Sequence, residues 1–321
     1  MKLVVLDSYC AVSNDLSLDC LAELCDEMTV YDRTKPDDVV NRIGDAEMII
    51  VNKTVLSREV LSQCPNVKYI GLFATGYNII DVEYAKERGI VVSNAPAYST
   101  SGVAQLTFAL IMHFYNLVYK HDTEVHHGEW ENCQDFCFYD KRIQELYHKT
   151  IGLIGFGSIG KQVARIAQAF DMNVLVFSRT KYPEYENDNL RFVDFDTLLR
   201  DSDIVSIHCP LFPETMKLIN EDSIKKMKSS AILINTARGA IVDEQALADS
   251  LNNGIIAGAG IDVVTIEPIL KSNPLLSAQN CVITPHIAWA GKETRARLIE
   301  IVVDNVTSFL EGSPINNVAQ Q

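Results

Sequence analysis

The sequence predicts an α/β chain made of two doubly wound parallel sheets, and three observations carry that prediction. Apolar runs of strand length alternate with segments of helical period along almost the whole chain, the order that produces parallel sheets with covering helices. A glycine cluster, Gly155-Phe156-Gly157-Ser158-Ile159-Gly160, lies between an apolar run and a helix-like segment, with a second apolar run after it. A length of 321 residues suits two domains better than one.

Taken in order, the first hundred residues give expected strands at 3–7, 46–51, 67–73 and 90–93. A helix is expected over 16–26, and another begins at the cap Asp81 and ends at Gly89. Residues 101–119 read as one long helix, too rich in Leu, Ile, Phe and Val to face solvent all round. It is expected to be buried between two domains and to offer an oligomer surface. The stretch 126–148 sets Trp130, Phe136, Phe138 and Tyr139 among polar residues and reads as an excursion over the surface. From 150 onward, strands are expected at 151–154, 174–177, 204–208, 231–235, 257–262 and 281–284, in a sheet of six or seven. Asp243 caps a helix that runs to 252 and stops at Gly254. The last helix, 293–311, is expected to return to the first domain. The division is therefore 1–98 plus 291–321 against 99–290, with no internal repeat.

Composition narrows the function. Hydrophobic content of 47% and charged content of 22% are those of a globular chain. A net charge of −14 argues against a nucleic-acid partner, because phosphate contacts need a basic face. No apolar run reaches the ~20 residues of a membrane span, and residues 1–7 read as a strand rather than a signal peptide. The eight cysteines show no metal-ligand spacing, and several sit in apolar runs as reduced core thiols would. A cytoplasmic location is expected. His126-His127 are adjacent and point apart, so no metal site is expected there.

The glycine cluster has separable physical jobs: a tight turn, close approach of a pyrophosphate to backbone, and tight helix-on-strand packing. The N–H groups that open the following helix supply an anion site. Ligands of open α/β sheets bind beyond the carboxyl ends of the strands. There the second half delivers His208-Cys209-Pro210, Asn235-Thr236-Ala237-Arg238-Gly239, Asp262 followed by Glu267, and Thr284-Pro285-His286-Ile287-Ala288-Trp289. One Arg, one Glu and one His form the minimum kit for reducing a 2-keto acid with a nicotinamide. Hydride arriving at the carbonyl carbon builds charge on its oxygen, which an imidazolium protonates. A carboxylate favours and orients that imidazolium. An Arg grips a carboxylate with two parallel bonds. His208 competes with His286 for the acid role, and Glu267 favours His286.

These stretches together resemble the D-isomer-specific 2-hydroxyacid dehydrogenase family over nearly the whole chain, closest to its glycerate dehydrogenase/hydroxypyruvate reductase branch. The resemblance implies a Rossmann cofactor domain and a smaller flavodoxin-like substrate domain. It implies that Arg238 binds substrate, that Glu267 tunes His286, and that His286 donates or accepts the proton. It extends cofactor contact to Gly155, Phe156, Gly157, Ser158, Ile159, Gly160, Ser178, Arg179, Thr180, His208, Cys209, Pro210, Thr215, Thr236, Ala237, Arg238, Asp262 and His286. Leu72-Phe73-Ala74-Thr75-Gly76-Tyr77-Asn78 is similar to the family's carboxylate-binding loop, with Asn78 where an Asp is usual. Lys53, Ala74, Thr75, Gly76 and Trp289 join Arg238 and His286 as substrate contacts, and a homodimer is implied. Where an NAD site places an acid after the second strand, this chain has Ser178-Arg179-Thr180-Lys181, so NADP(H) is expected over NAD(H). Two alternatives share the scaffold. A formate or phosphite dehydrogenase is disfavoured because the formate type carries Gln at the position of Glu267. A dinucleotide-binding co-repressor is disfavoured by the absence of tails around the core.

Overall fold

The computed structural model describes residues 1–320. Twelve strands form two sheets, and every pairing is parallel. β1 (Lys2–Val5), β2 (Glu27–Val30), β3 (Met48–Val51), β4 (Tyr69–Leu72) and β5 (Val91–Ser93) make the first, in the order β2-β1-β3-β4-β5. The second holds β6 (Thr150–Ile154), β7 (Asn173–Phe177), β8 (Leu190–Phe192), β9 (Ile204–Ile207), β10 (Ile232–Asn235), β11 (Gly258–Ile261) and β12 (Cys281–Ile283). Its order is β12-β11-β10-β9-β6-β7-β8. The chain divides into two compact units, Met1–Ser99 with the chain from Trp289 onward, and Thr100–Ala288.

Both sheets are covered on both faces, which is why their central strands read as continuous apolar runs. In the first unit the period-two alternation of the strands sends Leu3, Val5, Ile50 and Tyr69 to one face. Leu298, Val302 and Val306 of the Lys292–Leu310 helix pack on them there. Val4, Leu6, Ile49 and Leu72 go to the other face, against Val39, Ile43 and Leu61. The long helix is further tied by Arg295, whose guanidinium donates two 2.7 Å bonds to the Asp15 carboxylate and others to the carbonyls of Ala11 and Val12. In the second unit Ile151, Leu153, Val174 and Ile234 meet Ala104, Phe108 and Ile111 of the Thr100–Asn116 helix. The opposite face packs Ile207, Leu233 and Ile261 under Leu247 and Leu251 of the Glu244–Asn252 helix.

Several expectations are corrected. The helix expected over 16–26 shrinks to the single turn Asp19–Ala22, and the chain then enters β2. That strand and β8 lie on sheet edges; β2 buries none of its residues fully, so neither shows a long apolar run. The apolar helix does not run unbroken to 119. It stops at Asn116, Leu117 adopts φ 50°, and a second helix, Val118–His126, restarts at an angle. Of the cysteines, Cys64 is buried, Cys10 and Cys20 are exposed, and the other five are half-buried. Residues 127–149 hold no strand or helix before β6, with Phe136 and Tyr139 at 91% and 68% exposure, as a surface excursion should be. Asp81 and Asp243 do cap their helices, accepting from the N–H groups of Tyr84 and Ala246. Among the described residues no single helix is long and apolar enough to cross a membrane.

Candidate active site

The glycine loop leads from β6 into the Ser158–Ala169 helix, and each glycine has its own reason. Gly155 has φ +100°, and a Cβ on it would lie 2.7 Å from the backbone of His208 and Cys209. A Cβ on Gly160 would run into the carbonyl of Gly155. These two hold the loop against the start of the 208–215 turn and against the helix, where no side chain fits. Gly157 differs: a Cβ there would meet nothing within 4 Å, and its φ of −77° is open to any residue. The protein itself therefore gives no steric reason for a glycine at 157. An approaching ligand does. Gly157 is also the N-cap of the helix and makes no side-chain cap bond. The opening N–H groups and the positive helix end thus lie beside an uncrowded backbone. This is the cradle a pyrophosphate requires, and it fits a nicotinamide dinucleotide.

The neighbouring strand ends converge on that cradle. After β9, His208 shares a 2.9 Å bond with Ser206 Oγ, and burial pushes its imidazole down to about 3. At neutral pH it is uncharged and so a much weaker acid than an imidazolium, which disfavours it against His286. Cys209 is likewise pushed up to about 11 by burial, so it stays a thiol. Thr215 staples the next turn by donating to the Pro210 carbonyl at 2.9 Å and accepting from the Phe212 N–H at 2.7 Å. After β7, Ser178 is half-buried, and Arg179, Thr180 and Lys181 are exposed. No carboxylate pairs with Arg179 or Lys181 among the described residues.

After β10 the turn is internally wired. Asn235 accepts from the Ala237 N–H and donates to the Arg238 carbonyl, both at 3.0 Å. Buried Thr236 shares a 3.2 Å bond with Thr107. Gly239 is pressed flat on the Val264–Thr265 backbone, where any Cβ would overlap it. That contact locks the Arg238 turn beside the loop carrying Glu267. Arg238 itself is exposed and donates 2.7 Å to the carbonyl of Ala237, and it has no carboxylate partner in the described chain.

Asp262, only 1% exposed at the end of β11, organises the last turn. Its carboxylate accepts from Thr284 Oγ1 at 2.6 Å and from the N–H groups of Ile287 and Ala288 at 2.9 Å. Its carbonyl accepts from the His286 N–H at 2.8 Å. The residue thus serves the 284–288 turn from both main chain and side chain. His286 is held at φ 54°, a conformation non-glycine residues seldom adopt. Held so, its Nδ1 meets Glu267 Oε2 at 2.7 Å, while Glu267 Oε1 accepts from the Val264 N–H at 3.2 Å. Both side chains remain about one third exposed, 30% and 36%. Nε2 of His286 has no partner in the described chain.

In the first unit, Lys53 is exposed and Trp289 packs at the margin of that unit's own core. The loop after β4 is pinned by Thr75, whose hydroxyl donates to the Ala95 carbonyl and whose carbonyl accepts from Asn94, both at 2.7 Å. The N–H groups of residues 74–78 make no hydrogen bond within the described chain. Sequence reasoning missed Asp7, whose carboxylate accepts from the N–H groups of Asn52, Lys53 and Thr54 at 2.6–2.7 Å. It also missed the steric role of Gly239. No local signal marks either, since both depend on partners far away in sequence.

Fold and site together define a dinucleotide-dependent oxidoreductase of the doubly wound class. The family model described as the NAD binding domain of D-isomer specific 2-hydroxyacid dehydrogenases matches residues 108–288. Hydroxypyruvate reductase of Blautia hydrogenotrophica is 49% identical over 321 residues, covering 99% of each chain. Glycerate dehydrogenase of Methylorubrum extorquens is 39% identical over 295 residues, covering 91% of this chain and 92% of that one. Among solved structures, the TT0316 protein from Thermus thermophilus superposes with a TM-score of 0.86 at 34% identity, over 99% of this chain and all of the other. D-lactate dehydrogenase from Aquifex aeolicus, complexed with NAD and lactic acid, gives 0.83 at 31%, covering 98% and 96%. The chain belongs to the D-isomer specific 2-hydroxyacid dehydrogenase family.

Proposed function

We propose that this protein reduces hydroxypyruvate or glyoxylate to D-glycerate or glycolate, with NADPH preferred to NADH. The observation that carries the reading is the 2.7 Å pair of His286 Nδ1 and Glu267 Oε2, beside a turn whose Arg238 has no carboxylate of its own. A bound dinucleotide supplies the hydride. The chain's own residues do the rest. Arg238 receives the substrate carboxylate in a bidentate grip and polarises the neighbouring carbonyl. His286, held by Glu267, presents its unengaged Nε2 as the proton donor to the carbonyl oxygen, and takes that proton back in the reverse direction. Asp262 acts on the backbone that aims His286. In the first unit, the unengaged N–H groups of 74–78 support the family's assignment of a carboxylate contact to Ala74, Thr75 and Gly76, and Lys53 and Trp289 are assigned as pocket walls.

The cofactor preference rests on Ser178, Arg179, Thr180 and Lys181. A hydroxyl and two unpaired cations suit a 2′-phosphate, and no acid stands there to repel it or to bind a 2′-hydroxyl. Neighbouring structures include both an NAD complex and an NADPH complex. The test is NADPH and NADH oxidation measured against a panel of 2-keto acids. Hydroxypyruvate and glyoxylate should give the highest kcat/KM, with NADPH ahead; a tenfold advantage for NADH would reverse the preference.

Exposed apolar side chains gather on the Val118–His126 helix and the 127–149 stretch, Tyr119 at 73% and Phe136 at 91%. Such a patch supports a homodimer, which light scattering should report as twice the chain mass. The eight cysteines are all unpaired, which supports a reducing, cytoplasmic setting.

A further inference from the structure

We propose that Lys161 is a positioning residue for cofactor discrimination: its ammonium is the centre of an aromatic clamp that fixes the 178–185 loop against the glycine loop. The inference rests on the dinucleotide reading given above and deepens it. Lys161 lies in the first turn of the Ser158–Ala169 helix. Its Nζ stands 4.1 Å from the ring centre of Tyr182, 4.5 Å from that of Tyr185 and 5.9 Å from that of Phe156. No carboxylate pairs with it among the described residues, so the rings are its partners. They also hold one another: Tyr185 meets Phe156 edge-on at 5.3 Å, and Phe192 of β8 does the same at 5.3 Å.

The placement gives the cluster its consequence. Phe156, 2% exposed, is the residue between the first two glycines of the loop. Tyr182 follows directly on Ser178-Arg179-Thr180-Lys181, and Tyr185 closes the next short turn, Pro183–Tyr185. The pyrophosphate cradle and the segment that meets the ribose 2′ position are thus coupled through one cation and three rings. A cation over aromatic faces is attractive, and the attraction grows as water is excluded. A loop held in one conformation binds its ligand without the cost of ordering it. Lys161 has the long stem and the charge needed for this, and Arg, which stacks on rings as well as Lys does, should substitute for it.

The experiment measures kcat and KM for NADPH, NADH and hydroxypyruvate in wild type, Lys161→Met, Lys161→Arg and Tyr182→Leu. Lys161→Met should raise the KM for NADPH about tenfold, raise that for NADH less, and leave kcat and the hydroxypyruvate KM within about twofold. Lys161→Arg should restore the NADPH KM. Tyr182→Leu keeps the charge and removes a ring, and should reproduce the methionine variant. If Tyr182→Leu behaves as wild type while Lys161→Met fails, the ammonium acts on the phosphate directly and the clamp is overturned. If Lys161→Met is indistinguishable from wild type, the clamp is overturned as well. The wild-type ratio of the two cofactors separately tests the NADPH preference. An NADH-preferring enzyme whose ratio still shifts in Lys161→Met and returns in Lys161→Arg would retain the clamp and lose that preference.

Discussion

The two parallel sheets build the same kind of device at their carboxyl edges and use it differently. After β3, three consecutive N–H groups, those of Asn52, Lys53 and Thr54, converge on an anion, and the anion is the chain's own Asp7. After β6, the glycine loop and the helix start at Ser158 converge on an anion site as well, yet no carboxylate of the described chain fills it, and Gly157 leaves the approach clear. Backbone donors at a strand end are a general anion site. One unit satisfies them internally and gains rigidity. The other leaves them for a ligand and gains a function.

That contrast can be broken from either side. The largest effect is expected at Arg238, the unpaired cation of the open edge. On the proposed reading, Arg238→Ala removes two charge-assisted bonds to the substrate, roughly 3–6 kcal/mol. The kcat/KM for hydroxypyruvate should fall by roughly 10²–10⁴-fold, while the cofactor Kd, to which Arg238 is one contact among many, changes far less. Unaltered steady-state constants would take Arg238 out of the site. Next comes Asp7. Asp7→Ala strands three N–H groups at the closed edge, and urea denaturation should show a loss of about 2–4 kcal/mol, with NADPH affinity of the folded protein unaffected. A neutral result would mean that the closed edge does not stabilise the fold.

Gly157 and Gly239 sharpen the comparison within one unit. Gly157→Ala meets no atom of the protein, so thermal stability should hold while the NADPH Kd rises about tenfold, one decade being about 1.4 kcal/mol. Gly239→Ala collides with the Val264–Thr265 backbone and should lower the melting temperature before any binding defect is considered. If both variants behaved alike, glycine would be serving the fold at each position. The smallest effect concerns His208. Its folded-state imidazole is depressed to about 3, whereas an unfolded one titrates near ~6.5. As pH falls below ~6.5 the unfolded chain takes up a proton that the folded chain refuses, so this residue lowers stability progressively toward pH ~3. His208→Gln should flatten that part of the stability–pH curve; an unchanged slope would show that the imidazole is not kept neutral.

The contrast also explains what could be read from sequence. The open edge is written in short runs: Gly155 to Gly160 needs three glycines at fixed spacing, and each strand delivers its polar residues immediately after an apolar run. Both sheets were legible for the same reason, since strands buried on two faces are continuously apolar. The closed edge was not legible, because Asp7 finds Asn52, Lys53 and Thr54 only when β1 and β3 lie side by side. Gly239 looked like part of a motif until Val264 and Thr265 came against it. Asp262 is expected as a cofactor contact, and nothing in its neighbours announces that its carboxylate holds residues 284–288. β2 and β8 are not legible because edge strands need not be apolar, nor is the break at Leu117, because Val118 and Tyr119 carry the apolar run past it.

The most direct test of the central claim is His286→Ala assayed for hydroxypyruvate reduction at saturating NADPH, with the NADPH Kd titrated on the same preparation. Losing the proton donor should lower kcat by roughly 10²–10⁴-fold and leave the Kd within about twofold. Turnover at the wild-type rate would contradict the account.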